Sequence, residues 1–177
     1  MFSQEYHQAK NRSILSAKAI GVLFNLNIAG FWVKDMDFKF MDISEVASDI
    51  LYGMKSEDCV GKTDFEIARD INPETDEKQF AEVCRASDKY VLDNPIGDKY
   101  YSYTFVELLR DTKGNPHIWQ VIKGVHPEEV GEGKYFYGFA RFMDVATGSF
   151  DNALHWFEKE RKSLTKLNEN LYIYSNY

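Results

Sequence analysis

The sequence predicts an α+β fold in which helices lie on one face of a five-stranded antiparallel sheet, with one further helix at each end of the chain. Two short apolar segments early in the chain have the pattern of a β-hairpin. Helical patterns follow them, and then come three longer segments rich in aromatic and β-branched residues, which favour strands. Because loops of turn residues join these three segments, we expect them to pair as antiparallel neighbours.

The first part of the chain predicts a helix and then a hairpin. Residues 3–24 mix apolar and polar positions in a helical pattern. The segments GFWVKD (30–35) and KFMDI (39–43) flank a short turn, as the two strands of a hairpin do. The turn lacks the Asn-Gly or Asp-Gly pair of the tightest hairpins. We expect the helix to help to cover the outer face of the sheet.

Two helices are predicted between the second and third strands, with short turns and a loop at Pro73 between them. Ser44 is a candidate N-cap for an amphipathic helix that ends at Gly53. The clearest internal helix covers residues 76–93 and ends at Asn94-Pro95. Its apolar positions at helical spacing are Phe80, Val83, Cys84, Tyr90 and Val91. We expect this helix to pack against the inner face of the sheet.

Three strands are predicted in the second half of the chain, at residues 101–110, 117–125 and 134–143. Apolar residues occur on both faces of these strands, as the neighbours Phe105 and Val106 illustrate. A sheet with one solvated face alternates apolar and polar residues instead. Both faces of this sheet are therefore expected to be covered.

Residues 149–174 are predicted to form one long helix after Gly148. Its apolar residues follow the spacing of a coiled-coil seam. They are Phe150, Leu154, Phe157, Leu164 and Leu171. Two copies of this helix would pair in a homodimer, and the polar residues Arg161 and Asn168 in the same seam would weaken the pairing.

Composition and charge indicate a globular protein that avoids polyanions. Hydrophobic residues make up 44% of the 177 residues, and the formal net charge is -7. No stripe of Lys and Arg interrupts the acidic surface, so contact with nucleic acid or with an anionic membrane is disfavoured. The chain has no signal-peptide pattern and no apolar stretch of about 20 residues, which predicts a cytoplasmic protein without a membrane span.

Two local motifs suggest chemistry that the rest of the sequence does not support. Gly61-Lys62-Thr63 is similar to the end of a phosphate-binding loop, but that loop requires Gly at position 56, where Ser56 stands. A turn whose Asp64 caps a short helix is the better interpretation. The four histidines form no pair at metal-ligand spacing, so no metal site is predicted.

The order of the elements, together with four short motifs, resembles the PAS family. The first strand, FWVKDMD, is similar to the family's strand that ends in an acidic residue and turns into the second strand. The following helix ends in LYG (51–53), as the family's does. VGKTDFEI (60–67) is similar to the family's V-G-K-T-D-x-E segment, and MDVAT (143–147) stands where the family commonly has D-I-T.

The resemblance implies a sensory or dimerisation module of a bacterial-type signalling protein, and not an enzyme. It divides the chain into an N-terminal flanking helix (1–27), a PAS domain (28–147) and a C-terminal signalling helix (148–177). An output domain of the same protein, either a transcription regulator or a histidine kinase of a two-component system, would follow.

Cofactor-bearing members of the PAS family provide two tests. Flavin photosensors carry a reactive Cys in an Asn-Cys-Arg segment, which neither Cys59 in EDCVGK nor Cys84 in EVCRAS matches. Haem-binding members present an axial His on the long helix, and residues 76–93 contain no His. Flavin and haem are therefore disfavoured, and no cofactor is predicted.

A candidate ligand pocket lies between the long helix and the sheet. Pockets of this kind are apolar and hold a few placed polar groups. The candidate contacts are Phe80, Cys84, Ser87 and Val91 from the helix, with Thr104 and Val121 from the sheet. Few fixed charges are expected in this interior, so the ligand would be small, weakly polar, colourless and non-covalently bound.

The sequence leaves three alternatives to this pocket open. The same residues also fit an ordinary core. The domain also fits a module that only dimerises and positions its neighbours, without any ligand. A small α+β enzyme would need a buried acid and base, and no Asp–His or Ser–His arrangement stands out.

Overall fold

The computed structural model describes residues 29–71, 79–96, 101–126 and 134–174. The predicted N-terminal helix, residues 3–24, lies outside these ranges.

In the described part of the chain, seven antiparallel strands form one sheet in the order β2-β1-β5-β4-β3-β7-β6. The strands are β1 (Ala29–Lys34), β2 (Phe40–Ile43), β3 (Tyr101–Arg110), β4 (Pro116–His126), β5 (Tyr135–Phe142), β6 (Leu164–Asn168) and β7 (Leu171–Tyr174). The five predicted strands all belong to this sheet, as β1 to β5. The predicted count of five is wrong, because two further strands extend the sheet beyond β3.

Helices lie on both faces of the sheet, whereas the sequence predicted one face. They are α1 (Glu45–Tyr52), α2 (Ser56–Cys59), α3 (Asp64–Ile71), α4 (Gln79–Asp93), α5 (Met143–Thr147) and α6 (Phe150–Glu160). Residues of α1 to α4 share the larger core with the inner face, and α5 and α6 pack on the outer face. The reason is that Val106, Ile118 and Tyr172 point outward from the strands and need an apolar partner.

Local capping accounts for the ends of two helices. The Ser44 hydroxyl accepts the amide N–H of Ala47, and Gly53 ends α1 in the left-handed region at φ 63°. At α3, Thr63 and Glu66 form a reciprocal capping box. The predicted cap at Asp64 is therefore wrong: Thr63 caps the helix, and the Asp64 carboxylate turns into the core.

Gly138 allows two large side chains to approach each other on the inner face. It pairs with Trp32 of β1 on one side and with Lys123 of β4 on the other. A Cβ atom at position 138 would stand 2.1 Å from Cε2 of Trp32. Because glycine leaves this space open, the indole covers β5, and Lys123 Nζ lies 5.6 Å from the Trp32 ring.

The C-terminal segment is not the predicted long helix. Helix α6 ends at Glu160, a 3₁₀ turn covers Arg161–Ser163, and the chain then forms the β6–β7 hairpin. Strand β7 pairs with β3, placing Leu171 opposite Glu107 and Ile173 opposite Phe105. Without β7, strand β3 would be the edge of the sheet, and its backbone groups on that side would have no strand partner.

The predicted coiled-coil seam is therefore wrong. Its members point in different directions: Leu171 is 1% exposed beneath the inner face, while Leu154 is 41% exposed. Phe157 packs on the outer face against Tyr172, with ring centroids 5.0 Å apart. Phe150 and Leu164 are partly buried beside the same outer cluster. The apolar residues that predicted a seam are therefore divided between the inner core and the outer cluster of the same chain.

We predict that Leu171→Ala lowers the free energy of unfolding by about 2–5 kcal/mol, because it leaves a cavity beneath the sheet. The control Leu154→Ala removes the same atoms from an exposed position and should change it by less than about 0.5 kcal/mol. Urea unfolding followed by circular dichroism measures both values. Equal losses in the two variants would contradict the hairpin and favour a helical seam.

Candidate functional site

Charged side chains meet in the interior between the sheet and the helices α1 to α4. Lys34, at the end of β1, places its Nζ 2.6 Å from Asp64 Oδ2 of α3 and 2.8 Å from Asp88 Oδ2 of α4. All three side chains are at most 3% exposed. The hydroxyl of Tyr52 donates a hydrogen bond of 2.7 Å to the other Asp64 oxygen.

Lys123 of β4 extends the same network. Its Nζ lies 2.9 Å from Asp88 Oδ1 and 3.0 Å from Glu107 Oε1. It also donates to the Ser87 hydroxyl at 2.6 Å and to the backbone carbonyl of Cys84 at 3.3 Å. We call the five side chains Lys34, Asp64, Asp88, Glu107 and Lys123 the ionic network.

Strand alternation explains why two of these charges point inward. In β3, Glu107 shares its face with Phe105, which belongs to the inner core. In β4, Lys123 shares its face with Val121, another member of that core. Ser87 and Asp88 lie on the buried side of α4. The network therefore forms where the inward side of α4 meets the centre of the sheet.

The network keeps Lys34, Lys123 and Asp88 charged. Burial alone would lower the pKa of Lys34, but Asp64 and Asp88 outweigh burial and raise that pKa above its ordinary value. The pKa of Lys123 is raised for the same reason by Asp88 and Glu107. Burial opposes ionisation of Asp88, yet the two ammonium groups hold its pKa below the ordinary value.

Two neutral groups border the network. Burial, followed by the Asp64 charge, raises the pKa of Tyr52 well above its ordinary value. Burial and the Glu107 carboxylate likewise raise the pKa of the Cys84 thiol. Since the thiolate is the nucleophilic form of cysteine, Cys84 is suited to packing and not to covalent chemistry.

A small cavity lies beside the network. The space that the centre of a water molecule can occupy there is about 10 Å³. This is room for about one water molecule. Its lining consists of Trp32, Lys34, Phe40, Ile43, Ala47, Leu51, Tyr52, Asp64, Cys84 and Trp119. Aromatic rings thus form much of its wall, and one ion pair of the network forms its polar part.

The structure brings most of the predicted pocket residues together. Phe80, Cys84, Ser87 and Val91 are all buried on α4, and Val121 lies on the inner face of the sheet. Among these residues, Cys84 lines the cavity. The choice of Thr104 is wrong, because it alternates with the inward-facing Tyr103 and Phe105 and so points to the outer face.

The expectation of an interior with few fixed charges is also wrong. Sequence reasoning missed the five members of the ionic network. A signal for three of them is present, since Lys34, Glu107 and Lys123 each stand within apolar strand segments. A charge at such a position points either to solvent or to a buried partner, and the strand pattern alone does not decide between them.

A second polar cluster lies at the opposite end of β4. His117 places Nδ1 2.9 Å from Asp144 Oδ2 of α5 and Nε2 3.4 Å from Asp111 Oδ2 of the β3–β4 turn. The hydrogen bond to Asp144 is the main cause that raises the pKa of His117 above its ordinary value. Protonated His117 therefore ties the turn to the segment that leads into α6.

Two classes of feature are not found within the described ranges. No group of three or more His, Cys, Asp and Glu side chains there could hold a metal ion. None of the helices in that part of the chain combines the length and the apolar character needed to cross a membrane.

No protein-family model and no curated protein matches the sequence. Solved structures do match it. The phage VqmA–DPO complex is 18% identical with a TM-score of 0.50, over 93% of this chain and 64% of that chain. The Vibrio cholerae VqmA dimer is 20% identical with a TM-score of 0.49, over 71% of this chain and 51% of that chain. This chain therefore spans less than two thirds of either VqmA chain.

The PAS domain of Bordetella pertussis BvgS is 14% identical with a TM-score of 0.44, over 84% of this chain and 98% of that domain. The order of β1 and β2, the helices α1 to α4 and the strands β3 to β5 is the one expected for a PAS domain. The predicted PAS fold is confirmed.

We predict that Lys34→Met lowers the free energy of unfolding by about 3–5 kcal/mol, because it leaves Asp64 and Asp88 buried without their shared partner. The control is Lys89→Met on the exposed side of α4, where the Lys89–Asp93 pair is more than half exposed. That change should cost less than about 0.5 kcal/mol. Chemical denaturation of both variants at neutral pH measures the difference, and comparable losses would contradict a structural role of the network.

We also predict a pH dependence that originates at His117. Because its folded-state pKa is raised, its contribution to stability is complete below the unfolded pKa of about 6.5 and is lost as the pH rises through the folded value. From about pH 6 to pH 9, the wild type should thus lose stability relative to His117→Gln. The control His155→Gln, at an exposed position of α6, should follow the wild type. Parallel curves for wild type and His117→Gln would refute this assignment.

Proposed function

We propose that this PAS domain is a sensory module that binds a small molecule between the inner face of the sheet and the helices α1 to α4. Binding would be relayed to an output domain of the same protein, a transcription regulator or a histidine kinase. The observation that carries the proposal is the ionic network beside a cavity walled by aromatic rings. We infer a non-enzymatic role, since raised pKa values keep Cys84, Tyr52 and Lys34 of the cavity wall in their protonated, non-nucleophilic forms.

The energetic cost of the network supports a ligand-binding role. Buried ion pairs rarely stabilise a fold more than apolar side chains of the same volume would. Charged groups with displaced pKa values in the interior are a frequent property of functional sites. The phage VqmA structure is a complex with DPO, which adds support for ligand binding by this fold.

The connection between β3 and β7 supports a route for the relay. Glu107 belongs to the ionic network, and the same residue pairs with Leu171 of the C-terminal hairpin. A ligand that alters the contacts of Glu107 would act on the strand that holds this hairpin. We propose that the hairpin, and not a coiled coil, passes the signal onward.

A second candidate is a PAS domain that only dimerises and positions neighbouring domains. The observation that favours it is the size of the cavity, which has room for about one water molecule.

We predict that protein purified without denaturation releases a small molecule when it is unfolded in organic solvent, as detected by mass spectrometry. Cys84→Met places a larger side chain at the cavity wall and should reduce the amount released. The control Lys89→Met, on the exposed side of the same helix, should release as much as the wild type.

Light scattering on the same samples separates the two candidates. A dimer from which no molecule is extracted favours the second candidate. A monomer that releases nothing contradicts both.

A further inference from the structure

We propose that the ligand of this site is a small uncharged molecule that presents an N–H donor together with a lone-pair acceptor, as an amide or an azole does, and that the site rejects carboxylates. This inference rests on the proposed function and specifies the chemistry of the same site. It follows from which polar atoms of the interior already have partners and which do not.

The ammonium groups are already paired with the carboxylates of the network. The donors of Lys123 are directed at Asp88, Glu107, the Ser87 hydroxyl and the Cys84 carbonyl. Lys34 donates to Asp64 and Asp88, and its Nζ also lies 4.7 Å from the centre of the Phe40 ring. An ammonium group has three N–H donors, so Lys123 is saturated, whereas Lys34 uses two of its donors for Asp64 and Asp88 and faces the Phe40 ring.

On the inner face of the sheet, one buried acceptor and one buried neutral donor have no hydrogen-bond partner among the described residues. Among the residues that the structure describes, Glu107 Oε2 and Trp119 Nε1 are buried and have no hydrogen-bond partner. The two residues stand directly opposite each other in the β3–β4 pair, so their side chains leave the same face as neighbours. Trp119 lines the cavity, whereas Glu107 stands behind the lining, so a ligand reaches both atoms by displacing part of the wall. A ligand that satisfies both atoms must donate to the carboxylate and accept from the indole.

The charge of the network selects against anions. Its three carboxylates and two ammonium groups carry a formal charge of one negative unit, and each side chain is at most 3% exposed. A carboxylate ligand would add a second uncompensated negative charge in this interior, which is strongly unfavourable. A neutral amide or azole brings the required donor without that penalty.

Ligand size links binding to a structural change. The cavity has room for about one water molecule, whereas even acetamide has four heavy atoms. The ligand must therefore displace part of the wall formed by Trp32, Phe40, Tyr52 and Trp119. Because these rings pack the helices against the sheet, occupancy necessarily changes that packing.

The test is a titration of ¹⁵N-labelled protein with acetamide and with acetate, which have nearly the same shape. The indole N–H resonance of Trp119 is the reporter, and that of Trp156, which packs on the outer face, is the internal reference. Acetamide should shift the Trp119 resonance in a saturable manner and leave Trp156 unchanged. Acetate should bind at least about tenfold more weakly, because it lacks the donor and adds charge.

Two matched variants complete the test. Glu107→Gln removes the carboxylate and should weaken acetamide binding about tenfold. Glu82→Gln makes the same change at an exposed position of α4 and should have no effect.

Equal binding of acetate and acetamide, or unchanged binding in Glu107→Gln, overturns the proposed chemistry while a ligand site remains. If neither compound shifts Trp119, the two atoms hold only a water molecule and the inference fails. The proposed function is judged independently by the extraction of a bound molecule from the wild type.

Discussion

The ionic network is the interaction on which the arrangement of this domain depends. Its five charges come from five elements: β1, α3, α4, β3 and β4. Apolar contacts alone allow a helix to slide or rotate on a sheet at modest cost, since hydrophobic association is not directional. The pairing of Asp88 with both Lys34 and Lys123 removes that freedom, because any displacement of α4 would separate buried charges. The network thus fixes the position of the helical layer, and among the described residues it leaves Glu107 Oε2 without a hydrogen-bond partner.

Patterns within short segments were sufficient to predict the strands β1 to β5 and the helices α1 and α4. The cap at Ser44, the end of α1 at Gly53 and the buried side of α4 all follow from residues that are neighbours in sequence. The C-terminal segment could not be predicted in this way. Its apolar spacing fits a helical seam. The strand formers around Leu171 nevertheless pair with the edge of β3, where Glu107 is the partner of Leu171 and lies roughly 60 residues earlier in the sequence. The decisive interaction is therefore not local, and the sequence of the segment alone does not contain it.

The same distinction explains which parts of the candidate site were found. Helical periodicity identified Cys84 and Ser87 because it depends only on the helix itself. The network escaped prediction because its partners are 30 and 54 residues apart in the Lys34 pairs. The error at Thr104 has a related cause: alternation divides a strand into two faces, but only the neighbouring elements decide which face is inside. A charged residue within an apolar strand, such as Glu107, is the signal to examine when the opposite strand carries a charge of the other sign.

Glu107 has three kinds of contact position in this core. One oxygen of its carboxylate contacts Lys123 and Ser87, the other has no partner within the described residues, and its backbone pairs with β7. A charge-assisted hydrogen bond contributes about 1.5–3 kcal/mol, and allosteric coupling between two sites amounts to about 1–3 kcal/mol. In the proposed relay, one new bond to the free oxygen therefore matches the size of a typical coupling energy. That bond would form on the strand that pairs with the C-terminal hairpin, which is why the proposed relay begins at Glu107.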